Sequence, residues 1–157
     1  MDKKAVLYGT KKASLLATCK QYVDQRLANV RQAIASASEA AADDTKSSAG
    51  DKFETTREMM QQELSRHQQL LADAKRMEQV LTNLDVNVHE GPVKPGSLVL
   101  TNHGNFFIAI SMGHVQIDGV SYWIISPASP LGQRLIGVKT RDEIAFNGMV
   151  YHITDTA

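Results

Sequence analysis

The chain has 157 residues, 43% of them hydrophobic and 22% charged, with Lys+Arg and Asp+Glu both totalling 17. That is room for one ordinary domain, or for a small domain plus an elongated helical arm, and the balanced charge gives no sign of a generally basic nucleic-acid-binding or membrane-surface protein. One cysteine excludes a disulfide framework, and no apolar run nears the roughly 20 residues of a membrane span.

The amino end carries lysines, but Ala5-Val6-Leu7-Tyr8 is too short for a signal-peptide core, so a reducing, cytoplasmic location is expected. From Leu16 apolar positions fall at Leu16, Val23, Leu27, Val30, Ile34, Ala37 and Ala41, and from Val23 onward the spacing alternates four and three, the coiled-coil period. A second stretch repeats it at Met60, Leu64, His67, Leu71, Ala74, then Met77 or Glu78, then Leu81. The pattern predicts an antiparallel helical hairpin over 1–86 with its tip at about 43–54. Thirty residues of helix is roughly 45 Å at 1.5 Å per residue, so such an arm is expected to project. Basic residues gather at 1–31 (Lys3, Lys4, Lys11, Lys12, Lys20, Arg26, Arg31) and acids at 39–63, giving the hairpin a basic base and an acidic tip. His67 reads as a polar interruption of the seam, and Cys19 has no neighbouring base to activate it.

Composition changes at Val86. His89-Glu90-Gly91-Pro92-Val93-Lys94-Pro95-Gly96 reads as a linker over 87–96, and strand patterns follow over 97–157. Strands are expected at Ser97 to Asn102, Asn105 to Ser111, His114 to Ile117, Val120 to Ser126, Glu143 to Phe146 and Val150 to Thr154, with turns at His103-Gly104, Asp118-Gly119 and Asn147-Gly148. Ser129 is placed to cap a short helix that starts at Pro130 and stops at Gly137. The fold class is therefore α+β: a helical hairpin, then a six-stranded antiparallel sheet with one short helix. Phe106-Phe107 and Tyr122-Trp123 are adjacent pairs on strands, so one of each is expected to face the core and one to face out.

At the hairpin tip stand Asp51 and Glu54, three apart and so on one face of a helix, with Asp43 and Asp44 on the opposing arm. Two carboxylates so placed can converge on one divalent cation. Asp51 with Glu54, or Ser48 with Asp51, is equally a capping box that satisfies open amides at a helix start.

Ser129-Pro130-Leu131-Gly132-Gln133-Arg134-Leu135-Ile136-Gly137, followed by Lys139 and Asp142-Glu143, resembles the signature of the Gre (GreA/GreB-like) transcript-cleavage factors. Gly50-Asp51-Lys52-Phe53-Glu54 matches the Gly-Asp-x-x-Glu at that family's coiled-coil tip, and the resemblance runs from about Leu15 to the end. It implies a coiled-coil hairpin followed by an FKBP-like sheet domain. It also implies an RNA polymerase-binding elongation factor with no active site of its own. Such a factor inserts its tip into the secondary channel, where Asp51 and Glu54, assisted by Asp43 and Asp44, complete the shell of a Mg²⁺ shared with the polymerase. Cleavage of backtracked RNA is thereby promoted. Ser129, Pro130, Leu131, Gly132 and Gly137 would contribute to polymerase docking. The nascent RNA would be touched only indirectly, with no membrane and no sequence-specific DNA contact, and the protein would be a monomer. The family continues its tip with Asn-Ala-Glu-Tyr where Thr55-Thr56-Arg57-Glu58 stands here, and a glycine usual before Asp142-Glu143 is replaced by Arg141. The alternatives are a non-cleaving secondary-channel regulator of the same architecture, or a coiled-coil interaction protein.

Overall fold

A computed structural model describes residues 3–47 and 51–157, with backbone alone for 41, 43–47 and 51–53. Two long helices, α1 (Lys3–Ser47) and α2 (Asp51–Asn83), precede strands β1 (Leu98–Thr101), β2 (Gly104–Ile108), β3 (Gly113–Ile117) and β4 (Val120–Ile125). The short helix α3 (Pro130–Leu135) and strands β5 (Glu143–Phe146) and β6 (Met149–Thr156) follow. Among the described residues no helix is long and apolar enough to cross a membrane. The chain divides into two compact units, 21–79 on its own and 1–20 together with 80–157.

Within 21–79 the sequence period reappears as burial. Val23, Leu27 and Val30 of α1 are buried, while Ile34 and Ala37 are half-buried. On α2 Met60, Leu64, His67, Leu71 and Met77 are half-buried and Ala74 is fully buried, with Glu78 exposed, so Met77 takes the seam position. Helices of this length draw most of their stability from such a stripe rather than from propensity. Further up α1 the stripe continues through Cys19 and Leu15, both 0% exposed, and not through Leu16, which is half-buried. Positions 15, 19, 23 and 27 each follow by four, about one helical turn, so each buried side chain neighbours the next along α1.

The sheet has the order β3-β4-β2-β1-β6-β5. Its six strands match the expected number, but it is mixed rather than antiparallel, because β2 and β4 run parallel, pairing Phe106 with Trp123 and Ile108 with Ile125. The cause is local. Residues 109–112 reverse the chain after β2, and β3 settles two strand positions away, at the edge. The tight turn at Asp118-Gly119 then returns β4 into the gap, in the direction of β2. Asp118 (φ 51) with Gly119 (φ 77), and Asn147 (φ 52) with Gly148 (φ 76), have the two left-handed residues of the mirror-image hairpin turns that suit twisted strands. The first hairpin differs from expectation by one residue. Thr101 pairs with Gly104, so Asn102 and His103 form the loop, braced by the Thr101 hydroxyl, which accepts from the His103 amide at 3.0 Å and donates to the Gly104 carbonyl at 2.8 Å.

Both faces of the sheet are covered at β2, which corrects the expectation for the phenylalanines. Val99, Phe106, Ile108, Tyr151 and Ile153 form one core with Val93 and Leu135, and Leu131, Val138, Ile144 and Phe146 close around it. The opposite face buries Leu98, Phe107, Tyr122 and Ile124. Alternation along a strand yields an exposed partner only where one face is open, and at a central strand packed on both sides it does not. At β4, nearer the edge, the expected split holds: Tyr122 is buried and Trp123 is 45% exposed.

Candidate functional site

The tip acids sit where the two helices meet in sequence. α1 ends at Ser47 and α2 starts at Asp51, so three residues link them. Asp51 opens α2, and Glu54, one helical turn on, is solvent-exposed, as are Arg57 and Glu58; Thr56 is half-buried. Asp43 and Asp44 lie in the last turns of α1. The side chains of Asp43, Asp44 and Asp51, and the Ser48 cap, lie outside the described residues. An acid in the first turn of a helix also interacts favourably with the unpaired amides there.

The Ser129–Gly137 block comes together around α3, and its residues have internal work. Ser129 caps the helix: its hydroxyl accepts from the Gly132 amide at 3.0 Å and donates to the Ser126 carbonyl at 2.7 Å. Pro130 fills the first helical position, where a missing N–H costs nothing. Leu131 packs against the core. Gly132 is buried so closely that a Cβ would stand 2.1 Å from the Ser126 carbonyl oxygen, which excludes any larger residue without movement. Gly137 follows the helix at φ 86, and its amide donates to the Val93 carbonyl at 2.8 Å. Arg141 adopts φ 81, a left-handed backbone in which a glycine would be relaxed.

Sequence reasoning passed over a polar cluster in the sheet unit. The Tyr8 hydroxyl donates to Asp155 at 2.8 Å, and the Lys4 ammonium approaches the same carboxylate at 2.6 Å. Burial pushes the Asp155 carboxyl up, but Lys4, Tyr8 and the Thr156 amide outweigh it and hold the group below the usual carboxylate range. The Tyr8 phenol is raised to about 12, by burial first and then by Asp155. These groups line a groove of about 470 Å³ with His89, Thr140 and Thr156. The pairing spans 147 residues, and no short-range signal announces it. Cys19 is pushed up to about 12 by burial, which leaves its thiol protonated and unreactive at neutral pH.

On the sheet, the exposed Trp123 meets His114 in a tilted arrangement, with ring centroids 5.0 Å apart and planes at 60°. His103 meets the edge of Tyr151 at 5.4 Å, and Tyr151 meets Phe106 at 6.0 Å. No protein-family model and no curated protein matches this sequence.

Proposed function

We propose that the chain is a Gre-like elongation factor, which binds RNA polymerase and presents Asp51 and Glu54 to the polymerase's catalytic metal through the secondary channel. The observation that carries this reading is the start of α2: Asp51 opens the helix and Glu54, one turn on, is open to solvent. The four-three burial stripes on α1 and α2 favour an antiparallel coiled coil with the acids at its end, and 21–47 of α1 alone is about 40 Å of helix. A mixed sheet closed by α3 is compatible with an FKBP-like domain that docks outside the channel, where the exposed Trp123 is a suitable aromatic anchor.

Carboxylate oxygens are the ligands Mg²⁺ prefers, and a firmly held second metal supplies an activated water for phosphodiester cleavage. Asp51 and Glu54 contribute negative charge and position, and the reacting groups belong to the polymerase. One specific feature favours the runner-up, a non-cleaving channel regulator: the exposed Arg57 stands three residues from Glu54, where its guanidinium competes with a metal for the carboxylate.

Incubation with a stalled, backtracked polymerase tests both. Shortened RNA is expected, with a loss of tenfold or more for Glu54→Gln and for Asp51→Ser, the latter retaining a capping hydroxyl. Altered pausing without cutting would establish the regulator instead. Failure to bind polymerase at all would leave a coiled-coil interaction protein.

A further inference from the structure

Lys12 is 0% exposed and is among the largest fully buried side chains of the molecule. Its Nζ donates to the Asn87 carbonyl at 3.0 Å, in the segment that leads from α2 to β1. An ammonium carries three donors and no acceptor. Among the described residues that one neutral carbonyl is its only hydrogen-bond partner, and no carboxylate pairs with it directly. With this one bond a neutral amine leaves one N–H and its lone pair unpaired, whereas an ammonium leaves two donors unmet and also carries a charge into a buried site, the costlier of the two. The surroundings are shaped tightly: a Cβ on Gly96 would fall 1.9 Å from the Asp85 carbonyl oxygen, so the 84–97 segment folds closely on itself beside Lys12.

We propose that Lys12 is a proton switch, which sets how firmly the first five turns of α1 stay docked on the segment that follows α2. The charged groups facing it are Asp85, which favours the ammonium, and Lys94, which opposes it. These two pair with each other at 3.5 Å, so their effects on Lys12 partly cancel. Burial then dominates and brings the amine from its ordinary 10.5 down to about 8. Burial raises Tyr8 and Cys19 on the same helix to about 12, and Asp155 beside Tyr8 is held below the usual carboxylate range, so these three move away from neutrality.

The sign follows from proton binding. Undocking exposes Lys12 and restores its ordinary affinity for protons, so opening takes up a proton between pH 8 and 10.5. Docking is strongest above 10.5, weakens as pH falls towards 8, and carries the full cost of a buried charge below 8. Between pH 7 and 9 the opening equilibrium changes by roughly tenfold, with the looser state on the acid side. Five turns of helix thereby loosen on mild acidification.

Amide hydrogen exchange on the full chain reads this directly. Residues 3–20 are compared with 98–108 at pH 7 and 9, after correction for the intrinsic exchange rate, in wild type and in Lys12→Met. The expected result is a tenfold smaller opening constant for 3–20 at pH 9 in wild type. Lys12→Met should show no pH dependence and stronger protection at pH 7. An equal opening constant at both pH values in wild type overturns the proposal, as does a methionine variant that keeps the wild-type slope or is less protected at pH 7. Should the variant not fold, an NMR titration of the Lys12 side chain in wild type decides: a midpoint near 8 supports the switch, and one in the ordinary lysine range ends it.

Discussion

In the sheet unit Leu98, Phe107 and Ile124 lose almost all contact with water, and a separate core occupies the other face. In 21–79 the burial is one stripe deep: α1 contributes Val23, Leu27 and Val30, while most of the matching positions on α2 stay half-covered. The first arrangement encloses its large side chains, and the second leaves much of its α2 stripe partly open to water. Loss of a core side chain therefore costs more in the sheet unit, where the surroundings are held from several directions and collapse poorly into a void.

Removing the largest central side chain pushes this contrast hardest. Phe107→Ala is expected to destabilise the sheet unit by about 3–5 kcal/mol in urea unfolding. Leu27→Ala in the helical stripe should cost about 2 kcal/mol, at the low end for a buried leucine, because most stripe positions on α2 are only half-buried and less firmly held around a void. Equal losses from the two variants would erase the distinction. The two units should also separate in hydrogen exchange, with 21–79 opening first.

A smaller effect probes the polar clamp. Tyr8→Phe removes a hydrogen bond to a charged group and is expected to cost about 1.5 kcal/mol. Because the folded phenol titrates near 12 rather than 10, its contribution is complete below pH 10 and is lost as pH rises to 12. Tyr8→Phe should show no such loss, and an unchanged alkaline transition would assign that transition to other groups. The smallest effect is a gain. Arg141→Gly relaxes a left-handed backbone position and should stabilise by about 1 kcal/mol, less the entropy glycine adds to the unfolded chain. Thermal melting reads it, and a loss would mean that the Arg141 side chain earns its place through contacts.

Much of this was legible from residue order. The four-three stripes, the Asp-Gly and Asn-Gly turns, and the Ser129-Pro130 start of α3 each rest on interactions within a few residues, and each stands where local chemistry puts it. The direction of β4 was not legible, since strand patterns state which side chains face inward but not which neighbour a strand selects. The burial of both Phe106 and Phe107 escaped for the same reason: alternation cannot report that a second layer covers the outer face. Lys12 and the Tyr8–Asp155 pair were hidden by distance along the chain. A lysine in a lysine-rich helix gives no hint of being enclosed, and Asp155 reads as an ordinary strand-end acid. On α2 Glu54 is exposed, a property its own position in the sequence does not report.

The Tyr8–Asp155 bond joins the opening turns of α1 to β6, and this has a consequence for biosynthesis. At ~5–20 residues per second a ribosome needs on the order of ten seconds to travel from one partner to the other. The helices of 21–79 can form in that interval, but Tyr8 and Lys4 have no carboxylate to close on until β6 emerges. The amino-terminal polar anchor is thus among the last parts of the fold that synthesis can complete.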